Sequence, residues 1–246
     1  MFNWFKKSEE KREITFDYSS IVVDMHSHVL PGIDDGAQTV QDSIGLVKRM
    51  MALGIKKIIA TPHIMADYYK NTAETINGAL EVLKAKLVEE NIDIVIEAAA
   101  EHYFDESFES RVDEGRLMIM GDNYVLFEFS FISPPPSVVP MIKRLIGLGY
   151  KPILAHPERY PYMDVEQLQM FRGQGLLLQL NTISLTGYYG KEAKKMAESL
   201  IDAQLVDFIS SDMHHLRHAE ALKNALKMPY LEKVMFDYPL KNIMLR

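Results

Sequence analysis

The 246-residue chain contains no cysteine. That absence excludes disulfides, thiolate metal sites and a cysteine nucleophile. It accords with a reducing compartment, and a cytoplasmic location is the expectation. No apolar run approaches the ~20 residues that a membrane-spanning helix needs. The first residues, "MFNWFKKSEEKR", have no apolar stretch of the kind that marks a secretory signal. Positive charge is in deficit as well: 34 acidic against 27 basic side chains leave −7 at pH 7. A general nucleic-acid face wants the opposite sign, although a small anionic substrate stays open wherever the local field is positive. What remains is an ordinary globular composition, 48% hydrophobic and 25% charged, with ample length for a core.

The chain is read as an N-terminal extension, residues 1–20, followed by a single domain over 21–246, with no linker or internal repeat to divide it. Within that domain, short apolar runs alternate with amphipathic ones. Strands are predicted at 21–25, 56–61, 93–100, 124–129, 152–155, 176–180 and 206–210, from their β-branched and aromatic content. Between them, "QTVQDSIGLVKRMMALG" sets Val40, Ile44, Val47 and Met51 on one stripe, with Gly54 placed to end the helix. "NTAETINGALEVLKAKLVEEN" starts at Asn71 or Thr72 and aligns Ile76, Leu80, Leu83 and Leu87. "SVVPMIKRLIGLG" and "GKEAKKMAESLIDAQ" follow the same pattern, the latter offering Glu192 with Lys195 and Lys194 with Glu198 as surface pairs. "FISPPPSVVP" reads as a stiff loop between a strand and a helix. Such alternation predicts an α/β fold with a parallel sheet: a TIM-like (β/α) barrel, distorted to seven strands, with a doubly wound open sheet as the alternative.

The chemistry-bearing residues gather at the ends of those strands. His26 and His28 end the first, and Asp35 follows in "GIDDGA". His63 follows the second, Glu101 ends the third and Glu128 lies near the end of the fourth. His156 follows the fifth; Asp212 and His214 close the seventh. In a parallel barrel these ends converge on one rim. Alternate residues of a strand share a face, so His26 and His28 can address one ion. A lone strand-end histidine is commonly a hydrogen-bonded structural residue, but six of seven strands ending this way strains that reading. Imidazoles and carboxylates without sulfur suit Mn²⁺, Fe²⁺ or Zn²⁺, with Mg²⁺ or Co²⁺ also open. Nine donors exceed the needs of one ion and divide over two or three. Four carboxylates against three divalent ions would leave about +2, a field that attracts phosphate.

The motifs "DMHSHVLPGIDDGA", "ATPHI", "FEF", "AHPERY" and "SDMHH" resemble the PHP (polymerase and histidinol phosphatase) superfamily. Their order and spacing are closest to its bacterial protein-tyrosine phosphatases of capsule and exopolysaccharide synthesis. The resemblance covers roughly residues 21–220. It implies a trinuclear, manganese-preferring site: His26, His28, Glu101 and Asp212 on one ion; Glu101 bridging to a second with Glu128 and His156; Asp35, His63 and His214 on a third. It also implies phosphate contacts from Arg159 and Arg217, and a phosphotyrosyl protein substrate such as a membrane-associated bacterial tyrosine kinase. The reaction expected is in-line attack on a phosphomonoester by hydroxide generated at the metals. The third-strand segment "AAAEHYF" departs from the family's usual glycine and following basic residue, and His102, His215 and His218 carry no assigned role. Histidinol phosphatase is the near alternative; a phosphodiesterase or nuclease and a non-catalytic metal binder are the others. Two further segments raise questions of their own. "MFNWFKK" could touch a membrane surface or be a loose terminus, and the tyrosines of "LTGYYGK" (185–191) could stack on an aryl ring or simply pack.

Overall fold

The computed structural model describes residues 14–246; the membrane-contact question for "MFNWFKK" lies outside them. The strands are β1 (Val23–Asp24), β2 (Lys57–Ala60), β3 (His63–Ile64), β4 (Val95–Ala98), β5 (Glu101–Tyr103), β6 (Tyr124–Glu128), β7 (Lys151–Ala155), β8 (Leu177–Asn181) and β9 (Phe208–Ser210). All pairings between them are parallel, in two sheets ordered β1-β2-β4 and β3-β5-β6-β7-β8-β9. The predicted strands at 56–61 and 93–100 appear as β2 and β4, and each is followed, past its predicted end, by a further short strand, β3 and β5. Pro62, which has no N–H to donate, lies in the gap between β2 and β3, and two alanines separate β4 from β5. The sheets are tied where β1 runs on past Asp24. Ser27 bridges to Met213, the Asp212 N–H donates to the His26 carbonyl at 2.9 Å, and the His28 N–H donates to the Met213 carbonyl at 2.8 Å.

The helices are α1 (Val40–Ala52), α2 (Ala73–Glu89), α3 (Glu106–Asp113), α4 (Val138–Gly147), α5 (Val165–Gly173), α6 (Lys191–Asp202), α7 (Leu216–Ala225) and α8 (Pro229–Asp237). Helix α1 starts in a capping box between Thr39 and Asp42, and α2 in one between Thr72 and Thr75, which settles the choice between Asn71 and Thr72. The predicted α2 stripe of Ile76, Leu80, Leu83 and Leu87 is buried. In α1 the buried face is turned slightly: Ile44 and Val47 share it with Leu46 and Met50, and Val40 and Met51 lie half-buried at its edges. Both expected surface pairs of α6 form, Glu192–Lys195 at 3.3 Å and Lys194–Glu198 at 3.9 Å.

Apolar packing falls into two bodies. The larger joins the helices to the outward faces of the strands; Tyr18 belongs to it, fully buried with its hydroxyl on the Leu222 carbonyl, so the segment before residue 21 contributes to the core. The smaller is built from one or two residues of nearly every strand region, among them Val23, Met25, Ile59, Ala99, Leu126, Ile153, Ala155 and Phe208, with Met120 and Leu245 beside them. Among the described residues no helix is long and apolar enough to cross a membrane.

Candidate metal centre

The C-terminal ends of the strands set the site. His63 and Glu101 are direct partners in the β3–β5 ladder, and Glu128 is the partner of Tyr103 in the next. His156 and Asp212 follow β7 and β9 with backbone φ of 34° and 49°. Left-handed backbone is costly for residues with a Cβ and clusters where function fixes a side-chain direction. The loop carrying Asp35 folds back on the first strand through a glycine. A Cβ on Gly36 would lie 2.0 Å from the His28 carbonyl oxygen, so only hydrogen fits there.

The result brings all nine expected donors together, in four overlapping groups whose ligand atoms lie within 4.8 Å of one another. Glu101 is the hub. Its Oε2 lies 3.3 Å from His26 Nε2, 3.4 Å from His28 Nε2 and 3.1 Å from His63 Nδ1, while Oε1 lies 2.9 Å from His156 Nε2. Asp212 Oδ1 is 3.4 Å from His26 Nε2, 3.5 Å from His28 Nε2 and 3.3 Å from His214 Nδ1. Asp35, not Asp34, faces His63 Nε2 at 3.4 Å and His214 Nε2 at 3.5 Å. Glu97, the other carboxylate of the third predicted strand, pairs instead with Lys57. The groups divide the donors differently from the division the resemblance implies. His63 sits with Glu101 and Glu128 as well as with His28, Asp35 and His214, and Asp212 sits with His26 and His156.

These residues fit divalent cations on three grounds. Glu101 Oε2 and Asp212 Oδ1 are buried and accept no hydrogen bond, although unpaired buried carboxylate oxygens are expensive. The separations suit shared ligation, because two donors each ~2.1 Å from one ion lie roughly 3.0–3.4 Å apart at octahedral to tetrahedral angles. The electrostatics also ask for cations. Burial disfavours the His28 imidazolium, yet Asp34 overrides it and raises the pKa to about 10. Burial likewise opposes charge on His63, and Glu101 with Asp35 and Glu128 raises its pKa well above the usual value. Burial would raise Glu101, but His26 and His63 hold it well below the usual range. Without metal, the carboxylates favour protons on His26, His28 and His63.

Several supporting residues were not legible as such. His26 Nδ1 is fixed by Gln179 Oε1 at 2.9 Å, His28 Nδ1 by Asp34 Oδ2 at 2.8 Å and His214 Nδ1 by the Asp212 carbonyl at 2.9 Å. Such contacts lock ring orientation and point the Nε2 lone pairs inward. Asn181 donates to Asp212 Oδ2 at 2.9 Å. Asp24 accepts from Ser210 Oγ, the Ser211 N–H and the His26 N–H, pinning β1 to β9 beneath the site. A polar residue at the end of an apolar strand is the signal available for Gln179 and Asn181, and it is a weak one.

Seven of the nine donors line a cavity of about 560 Å³, with His26 and His28 buried behind them, and its wall also includes Phe131, Arg159, Tyr189, His215 and His218. Arg159 donates to Asp212 Oδ2 at 2.9 Å, and its guanidinium carbon lies 4.6 Å from the Phe131 ring centre and 4.1 Å from that of Tyr189. Arg217, expected beside phosphate, is on the exposed side of α7 and does not line the cavity, because the helix buries His218, Ala219 and Leu222 instead. Of the "LTGYYGK" tyrosines, Tyr189 lines the cavity and Tyr188 packs edge-on against it and against His218. His102 is buried away from the cavity and turned to the Met118 carbonyl; desolvation brings its pKa down to about 3.

This arrangement has known counterparts. The chain is 31% identical over 199 residues to the tyrosine-protein phosphatase YwqE of Bacillus subtilis (strain 168), covering 80% of this chain and 78% of that protein. Its structure resembles a crystal structure described with YwqE from Bacillus subtilis and CpsB from Streptococcus pneumoniae as metal-dependent tyrosine phosphatases. The TM-score is 0.81 at 29% identity, with 91% of this chain and 93% of that chain covered. An amidohydrolase from Mycoplasma synoviae shares the fold alone, with a TM-score of 0.57 at 14% identity over 96% of this chain and 90% of that one. The family model for capsular polysaccharide synthesis, CpsB/CapC, matches residues 22–244, and this chain belongs to that family.

Proposed function

We propose that this chain is a metal-dependent protein-tyrosine phosphatase, a phosphoric monoester hydrolase acting on a phosphotyrosyl protein of capsule or exopolysaccharide synthesis. The observation that carries the reading is the convergence of nine donors, all but Asp35 buried or half-buried, in one overlapping cluster of which seven members line a single cavity, with Glu101 and Asp212 presenting buried oxygens that accept no hydrogen bond. The proposed ligands are His26, His28, Asp35, His63, Glu101, Glu128, His156, Asp212 and His214, and the preferred ion is Mn²⁺. Bound divalent ions would supply Lewis acidity toward the phosphoryl group and toward water. The rest is done by the chain. Asp212 engages one nitrogen of Arg159, and the planar fork keeps further N–H groups for phosphate oxygens. Phe131 and Tyr189 both lie against that guanidinium, so with Asp212 they limit its directions before substrate arrives. Gln179, Asp34 and the Asp212 carbonyl orient three of the imidazoles. A phenolate leaves with a parent pKa of about 10 and needs little help from an acid.

The same reading takes the two sheets as one distorted seven-stranded barrel and residues 21–246 as one domain. The bonds between the His26–His28 segment and Asp212–Met213 support it, as does the inner apolar body drawn from nearly every strand region. It places the protein in the cytoplasm, where a membrane-associated tyrosine kinase would present its phosphotyrosines. The deciding experiment is a substrate panel with metal analysis. Manganese-loaded protein is expected to hydrolyse phosphotyrosyl peptide with a kcat/KM well above that for histidinol phosphate, and EDTA is expected to abolish turnover. Turnover that survives complete chelation would refute the metal assignment; a preference for histidinol phosphate would refute the substrate.

A further inference from the structure

The clamped Arg159 is also a partition. Behind it lies a second groove of about 660 Å³ that shares Phe131, Arg159 and Tyr189 with the first cavity. Its remaining walls come from the segment after β7, with Met163 at the turn into α5, and from one face of α6, where Ala193, Met196 and Ser199 follow one another at helical spacing. Most charged groups around it are already engaged. Glu192 pairs with Lys195 at 3.3 Å, and Asp164 caps α5 through the Gln167 N–H at 2.8 Å. One oxygen of Glu158 is taken by Ser184 and Asn181, and the other is buried out of reach. The groove thus offers apolar surface, rather than free charge, to whatever enters it.

We infer that this second groove binds the polypeptide flanking the phosphotyrosine, and that it accepts an apolar side chain a few residues from the reacting one. The inference rests on the phosphatase reading and adds a determinant of substrate choice. Continuity with the first cavity argues for it: a chain whose phosphoryl group reaches Arg159 has its neighbouring residues at the shared wall. An extended peptide advances ~3.3 Å per residue, so those neighbours cannot share the first cavity. Engaged charges argue against a small ionic metabolite as the occupant, because burying such a molecule here would leave its charges unpaired. Met163 and Met196 supply unbranched, adaptable side chains, so the groove should take leucine, methionine or phenylalanine with similar ease.

The test uses the manganese-loaded 246-residue chain, p-nitrophenyl phosphate, and matched phosphotyrosyl peptides carrying leucine or aspartate at flanking positions on either side. Leucine is expected to raise kcat/KM over aspartate by roughly tenfold on one side of the phosphotyrosine, the scale of burying one aliphatic side chain. Ala193→Trp, which fills the groove, should remove that preference while p-nitrophenyl phosphate turnover stays within about twofold, since that substrate ends short of the groove. Ser199→Trp, entering from a second point on α6, should do the same. A labelled peptide bearing a non-hydrolysable phosphonate should lose affinity for both variants, read by fluorescence anisotropy. Equal kcat/KM for the two peptides, or a preference that survives both variants, would overturn the groove and leave the phosphatase reading intact. Absence of turnover for every substrate in the unsubstituted protein would overturn both.

Discussion

Gly36→Ala should cost this protein its site, although it adds one methyl group. A Cβ built at that position lies 2.0 Å from the His28 carbonyl oxygen, 2.5 Å from His28 Cβ and 2.8 Å from the His28 carbonyl carbon. Ordinary contact needs about 3.4 Å or more, so the overlap with the oxygen exceeds 1 Å. All three atoms belong to the strand that carries two of the proposed ligands, and none is the flexible end of a long side chain. The turn cannot move without loss. Ala37 N–H donates to the same His28 carbonyl at 3.0 Å, Gly36 N–H to Asp34 Oδ1 at 2.9 Å, and Asp34 Oδ2 meets His28 Nδ1 at 2.8 Å. A shift of about 1 Å therefore displaces Asp35 from His63 and His214 and releases His28 from its anchor.

Overpacking of this kind costs about 1–3 kcal/mol, and a 1 Å misplacement in a catalytic constellation costs about 10²-fold in rate. Gly36→Ala is expected to lower Tm by several degrees, to reduce bound metal as measured by mass spectrometry, and to cut kcat/KM by at least that factor. Gly78→Ala is the control. Gly78 lies in α2 with nothing within 4 Å of an added Cβ, so the change should stabilise by up to about 1 kcal/mol through helix propensity alone. If Gly36→Ala kept the metal content, Tm and turnover of the unsubstituted protein, the close approach of loop to strand would be wrong, and with it the placement of Asp35.

Three other outcomes are expected. Arg159→Lys keeps the charge but loses the fork and the stacking on both rings; kcat/KM for phosphotyrosyl peptide should fall about 10²–10³-fold with metal content unchanged, and a loss of metal instead would show that Arg159 acts only by holding Asp212. Asp24→Ala leaves the Ser211 N–H without its acceptor and takes the nearest one from the Ser210 hydroxyl, while the His26 N–H keeps Ser210 Oγ at 2.8 Å, so urea unfolding should show a loss of about 1–3 kcal/mol in metal-free and metal-loaded protein alike; a loss confined to the loaded form would make Asp24 part of the metal site. Metal uptake should release protons at neutral pH. With Asp34 holding His28 at a pKa of about 10 in the metal-free protein, the ring is charged below that value and must give up its proton to ligate. Affinity should therefore rise with pH, and titration calorimetry in buffers of different ionisation enthalpy should show the transfer; a pH-independent affinity would contradict it.

Where the sequence predicted well, the prediction rested on constraints that a single chain segment carries by itself. A strand's two-residue period puts His26 and His28 on one side, and parallel strands joined by helices bring their C-terminal ends to one rim. What stayed hidden depended on phase and on partners far along the chain. Arg217 sits one position before His218, and on a 3.6-residue helix that step of about 100° is the difference between solvent and the site. Tyr188 and Tyr189 pose the same ambiguity in a short loop, and only Tyr189 reaches the Arg159 guanidinium. Gln179 gave no warning because an amide next to leucines is ordinary, and its meaning arises only from His26, 153 residues away. The two aspartates of "IDDG" mark the boundary between these cases. The resemblance points to the second as a donor, but the first owes its buried position to partners elsewhere, His28, the Gly36 N–H and the His63 N–H. Such groups do not touch the ion, and they decide whether the groups that do can hold it. A reading confined to ligand-type residues at strand ends will therefore locate a site of this kind and still underestimate how much of the chain is needed to build it.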